Sequence, residues 1–148
     1  MKLERTIVIV ASLGELKIFY VKKIENIVDD ELKVSYNLEL LKGMDFIDEH
    51  KKISEIMSDK AGNFNSGTND DADKLLLEQK KKIVKKIVKE INDVAKSKEP
   101  KQLLLAFNKE LSDELMDYLD TKTKDLLKKV IYKDLVNTDK DKILSYFA

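Results

Sequence analysis

Residues 6–11 form an unbroken β-branched run, Thr6-Ile7-Val8-Ile9-Val10-Ala11, of the kind a strand buried on both faces requires. Leu13-Gly14-Glu15 supplies a tight turn, and residues 16–21 read as a second strand, so the two form a hairpin. Residues 33–40 alternate cleanly, with Val34, Tyr36, Leu38 and Leu40 on one face and Lys33, Ser35, Asn37 and Glu39 on the other. That alternation predicts a strand near the sheet edge with one solvated face. Residues 44–57 carry Met44, Phe46, Ile47, Ile53, Ile56 and Met57 at loosely helical spacing and predict one short helix. Residues 58–73 turn polar and small, with Phe64 their single large apolar side chain, and predict a loop.

The clearest periodicity follows. Leu76, Leu77, Ile83, Val84, Ile87, Val88, Ile91, Val94 and Ala95 lie on one helical stripe, with Lys81, Lys82, Lys85, Lys86, Lys89 and Lys96 largely opposite. Asp70, Asp71 or Asp73 suits its start, where a negative charge favours the helix dipole, and it ends near Ser97, before Pro100. Residues 103–107 are a buried strand, 112–119 and 121–129 are helical, 130–136 is the last strand and 140–147 a terminal helix. No internal repeat is visible. The order is three antiparallel strands, a short and a long helix, then strand, helix, strand, helix. A right-handed crossover through the long helix places the fourth strand parallel to the first. The expected fold is therefore a single α/β domain over residues 1–148. Its mixed five-stranded sheet runs in order 3-2-1-4-5, a ribonuclease-H-like architecture that leaves function open.

Composition narrows the chemistry. A chain of 148 residues is the size of one domain and buries enough surface to fold without a disulfide or a structural metal. It has no Cys and one His, which excludes thiol catalysis, iron–sulfur clusters, Cys-type zinc sites and multi-His metal centres. No apolar run approaches the roughly 18 residues of a membrane span. Lys2 and Arg5 ahead of residues 7–11 mimic a secretory leader, but the run is short, Glu4 interrupts the positive charge, and a second strand follows directly. Cytoplasmic residence is the expectation.

The 28 basic and 28 acidic side chains cancel overall but not locally. Residues 1–23 carry a net +3, residues 24–73 a net −8, residues 74–101 a net +6, and residues 102–148 a net −1. The lysines of the long helix fit phosphate backbones, with strongly salt-dependent binding, although a solvated outer face is the plainer reading. Arg5 is the sole arginine, so bidentate reading of bases is not expected.

Catalytic constellations are mostly absent. A two-metal nuclease needs carboxylates converging from the first strand, which here has none and is followed by Ser12. No phosphate-cradling glycine motif occurs. His50 lies in the polar stretch Asp48-Glu49-His50-Lys51-Lys52 and reads as a surface side chain. Tyr132, Tyr146 and Phe147 read as core or edge packing.

The opening strand-turn-strand of residues 7–19, the segment Ser58-Asp59-Lys60-Ala61-Gly62-Asn63-Phe64-Asn65-Ser66 and the late Val130-Ile131-Tyr132-Lys133-Asp134-Leu135 carry a resemblance. In order and spacing the chain resembles the bacterial family called protein required for attachment to host cells, small proteins related to the middle domain of archaeo-eukaryotic release factors. Ser12 stands where the family usually has Asp, and Ala61 and Asn63 where it has Pro and Arg. The Gly-Gly-Gln of release factors has no counterpart in Asn65-Ser66-Gly67-Thr68, which argues against hydrolysis of peptidyl-tRNA.

The resemblance implies a ribosome- or tRNA-associated accessory module or a surface-related factor, and the missing catalytic constellations point to a non-catalytic protein without cofactor. Asp59, Lys60, Gly62, Asn63, Phe64, Asn65 and Ser66 would make the specific contact, and Lys81, Lys82, Lys85, Lys86 and Lys89 would attract the nucleic-acid backbone. The alternative is a protein–protein adaptor in cell-surface attachment, docking another protein on the edge strand 33–40.

Overall fold

The computed structural model describes residues 2–62 and 69–148. Its strands are β1 (Thr6–Ala11), β2 (Glu15–Val28), β3 (Glu31–Asp45), β4 (Gln102–Ala106) and β5 (Leu127–Ile131). They form one mixed sheet in the order 3-2-1-4-5, as the sequence predicts. β2 is antiparallel to β1 and to β3, whereas β4 runs parallel to β1 and β5 parallel to β4. The helices are α1 (Ile47–Gly62), α2 (Asn69–Lys98), α3 (Ser112–Tyr118), α4 (Thr121–Leu126) and α5 (Lys140–Ile143), the last continuing as a 3-10 turn through Phe147.

The sheet separates two cores. Ile7, Ile9 and Ala11 point to one face, where Ile83, Val84, Ile87 and Ile91 of α2, Ile53 of α1 and Leu115 of α3 cover them. Val8 and Val10 point to the other, where Leu135, Val136, Ile143 and Phe147 of the C-terminal segment cover them. Every residue of β1 is inaccessible to solvent, which explains why its sequence has no polar alternation. Glu99 ends α2 in the left-handed region (φ 47°), the place usually given to glycine, and the buried Pro100 follows.

Four boundaries differ from the sequence reading. The second and third strands of the reading, 16–21 and 33–40, are parts of a much longer hairpin: β2 and β3 pair from Glu15↔Asp45 out to Val28↔Glu31. This arm closes on Asp29-Asp30, both with positive φ (52° and 62°), as the tight two-residue hairpin turn of mirror type requires. Lys22, Lys23, Glu25 and Asn26 hide the strand in the sequence because both faces of the arm are exposed there, so nothing enforces alternation.

The helix expected over 44–57 begins later and ends later. Met44 belongs to β3, and the Asp45 carboxylate accepts the Ile47 N–H (3.3 Å), turning the strand into α1. Of the stretch expected as a loop over 58–73, residues 58–62 continue α1 and 69–73 open α2. Acidic residues at the start of a helix are stabilised by its dipole, so a polar, acidic stretch need not be a loop.

The last strand is 127–131, not 130–136, and α4 stops at Leu126 instead of Lys129. Beyond Ile131 the Asp134 carboxylate accepts the Val136 N–H (3.1 Å) and Thr138 N–H bonds to Leu135 O (3.0 Å), which turns the chain out of the ladder. Leu135 and Val136 are nonetheless buried, in a loop. Their hydrophobicity had marked a strand.

Candidate functional site

The lysines of α2 do not form one equivalent row. Core residues Ile83, Val84, Ile87 and Ile91 fix the rotation of the helix, and this sends the lysines to two flanks. Lys86 faces α1, where it is hydrogen-bonded to the Glu49 carboxylate. That bond holds Glu49 below the usual carboxylate range, against the opposing effect of its burial. Lys86 therefore joins two helices. Lys82 is exposed and Lys81 half-buried, and neither has an ion-pair partner among the described residues.

Lys85 and Lys89 turn toward the other flank, where α2 and the α3–α4 segment leave two adjoining hollows of about 400 and 590 Å³. Lys85 and Lys89 line the first, Lys122 lines the second, and Lys96 borders both. The Lys85 ammonium lies 5.5 Å from the centre of the Tyr118 ring, a cation–π distance that leaves the ring more than a third exposed. Between the hollows the Asp120 N–H donates to Asn92 Oδ1 (3.3 Å), pinning the α3–α4 junction to α2. Asp93, Glu99 and Asp120 also border the groove and moderate its positive charge.

A groove with ammonium groups along one wall and an aromatic ring at its edge can hold an anionic, partly planar ligand. The lysines attract phosphate as point charges, and the ring offers a stacking plane. The sequence pattern identified Lys85 and Lys89. It missed Lys96 as a site residue, and it missed Tyr118, Asn92 and Lys122 altogether. Tyr118 sits between the buried Leu115 and Leu119, and only the packing of α3 on α2 shows that its ring meets Lys85.

Of the loop residues the sequence singled out, Asp59, Lys60 and Gly62 lie in the last turns of α1, and Asp59 is exposed. Asn63, Phe64, Asn65 and Ser66 lie outside the described residues.

At the β1–β2 turn the Ser12 hydroxyl accepts the N–H groups of Gly14 (3.0 Å) and Glu15 (3.2 Å). His50 Nε2 lies 2.7 Å from Leu13 O, and Phe46 N–H donates to Gly14 O (3.1 Å). With a carbonyl as its partner, Nε2 must carry the proton, so the ring clamps α1 to the turn and that nitrogen is not free to act as a base. His50 is exposed, as the sequence suggests, yet it is not merely solvated. Among the described residues no three His, Asp or Glu side chains come together as a metal-binding set. No helix there is long and apolar enough to cross a membrane.

With this geometry in place, residues 7–147 match the family model described as protein required for attachment to host cells. The chain belongs to this family. A search of curated proteins finds no match to it. The family match runs from the second residue of β1 through the 3-10 turn after α5, so the groove and the Ser12–His50 clamp both lie inside the matched region of this host-attachment protein.

Proposed function

We propose that this host-attachment protein is a non-catalytic, intracellular binding module that holds RNA of the ribosome or a tRNA in the groove between α2 and α3–α4. The observation that carries the reading is the convergence of Lys85, Lys89 and Lys96 on one hollow bordered by the Tyr118 ring. The kinship with release-factor middle domains implied by the sequence resemblance supports it, as does the strand order. The groove supplies attraction to the sugar-phosphate backbone and a stacking surface, and no arginine for bidentate reading of bases.

Co-sedimentation of the protein with ribosomes from its own cells, at low and raised salt, tests this. Migration with the particles that disappears at raised salt is expected. Lys85→Glu with Lys89→Glu should weaken it severely and flatten the salt dependence of what remains by roughly 0.7–0.9 per lost phosphate contact in log–log slope. Migration as free protein at both salts would overturn the reading. Retained binding in the double variant would remove the groove from it.

A second reading is favoured by a different observation, the exposed apolar side chains along β3, together with the family's description. It makes the protein an adaptor in cell-surface attachment, holding another protein by strand addition. Association that survives nuclease treatment and raised salt would support it over RNA binding.

A further inference from the structure

The apolar side chains of β3 demand a cover that the single chain does not supply. Leu32, Val34, Tyr36, Leu38 and Leu40 all point to the face of the sheet that carries Val21 and Phe19, as their pairing with β2 shows. Leu38 is buried (4% exposed) and Tyr36 half-buried, but Leu32, Val34 and Leu40 are 62, 45 and 53% exposed. β3 is also an edge strand, with one side of its backbone unpaired. On that face Lys23 and Glu25 of β2 stand opposite Tyr36 and Val34, so the unbroken apolar row belongs to β3 alone. A two-stranded arm is marginal by itself, and an open apolar edge is a template for another strand.

We propose that this edge pairs with the same edge of a second copy of the chain, antiparallel and centred on Tyr36, joining two five-stranded sheets into one. The charges on β3 select this register. With the two Tyr36 residues opposite each other, Leu32 of one copy faces Leu40 of the other and Val34 faces Leu38, so the apolar faces coincide. On the polar face Lys33 meets Glu39, and the two-fold axis repeats that pair at the other end. Glu39 already bonds Lys22 of its own chain (2.9 Å), so each carboxylate sits between two ammonium groups.

Neighbouring registers lack this match. Centring on Ser35 would set Glu31 against Glu39 and leave Lys33 against Asn37. Centring on Asn37 would set Lys33 against Leu41 and Glu39 against Ser35. A shift by one residue would lay the apolar face of one copy beside the polar face of the other. The self-complementary order Lys33…Tyr36…Glu39 is what an isologous contact needs, because each end of the strand must match the opposite end of its copy. The inference stands apart from the RNA reading, since neither Lys33 nor Glu39 borders the α2 groove.

Sedimentation velocity on the full chain and two charge variants tests it. The unaltered chain is expected to sediment as a dimer. Lys33→Glu and Glu39→Lys, each at an exposed position, should each weaken the dimer about tenfold or more, because each variant puts like charges opposite at both ends. Circular dichroism should show both variants folded. Mixing the two should restore a dimer, since in that hetero-pair both Lys–Glu contacts between the copies are regained. A chain that stays monomeric at the highest concentration it tolerates overturns the proposal. So does a dimer indifferent to Lys33→Glu, or a mixture that fails to reassociate.

Discussion

β1 and the outer half of β3 carry comparable amounts of apolar side chain and meet opposite fates. Around β1, helices α1–α3 cover one face and the C-terminal segment the other, and all six residues are removed from water. Along β3 the same sheet continues, but of its apolar row only Leu38 is buried, and the leucine on its body side, Leu40, is as open as the residues of the arm. An apolar pattern in a strand therefore states a need for cover without saying which chain provides it. In β1 the cover is intramolecular, and in the arm, on the proposal above, it is a second copy.

The contrast can be broken at its strong end first. Ile87→Ala removes a fully buried side chain beneath α2 and should cost about 2–5 kcal/mol in urea unfolding. A loss below about 1 kcal/mol would mean that the α2 layer is not the close-packed cover described.

The link between α1 and α2 comes next. Glu49, whose side chain is 13% exposed, is held in its charged form by Lys86. Because its folded pKa is depressed, it contributes stability above the unfolded value of about 4.3, and that contribution is lost as pH falls through the folded value. Lys86→Met should cost about 0.5–1 kcal/mol at neutral pH. The difference from the parent chain should shrink under acid, which unfolding curves across that window would show. An equal difference at all pH values would sink the assignment.

The weakest effect belongs to the arm. In a Lys33→Glu background, where the two-copy sheet is disfavoured, Leu32→Ala should change unfolding by less than about 0.5 kcal/mol. In the otherwise unaltered chain the same substitution should weaken the dimer. Equal small effects in both backgrounds would place Leu32 outside any contact.

Much of the fold was legible because the physics involved is local or repetitive. The β-branched run of β1, the apolar stripe of α2 and the buried run of β4 each state their environment in period and residue type, and their succession led to the sheet order. In the arm the alternation of residues 33–40 marks β3, but β2 is not legible beyond Val21, since Lys22, Lys23, Glu25 and Asn26 are exposed whichever face they take. The 127–131 strand was misplaced because Leu135 and Val136 are buried without belonging to the ladder, and burial and strand pairing leave the same mark on a sequence. Of the candidate site, Lys85 and Lys89 were visible as charges on a polar face, while Tyr118 read as one more side chain of a short helix.

What the sequence determined by itself is the set of elements, their apolar faces and the uneven distribution of lysine, because propensity, periodicity and charge are properties of a chain before it folds. What only the tertiary structure decided is how those lysines divide. The rotation of α2 on the sheet, set by Ile83, Ile87 and Ile91, commits Lys86 to Glu49 and turns Lys85, Lys89 and Lys96 into a groove. A one-residue change in that packing would turn the helix by about 100° and reassign every charge, and no feature of the lysines themselves encodes the choice.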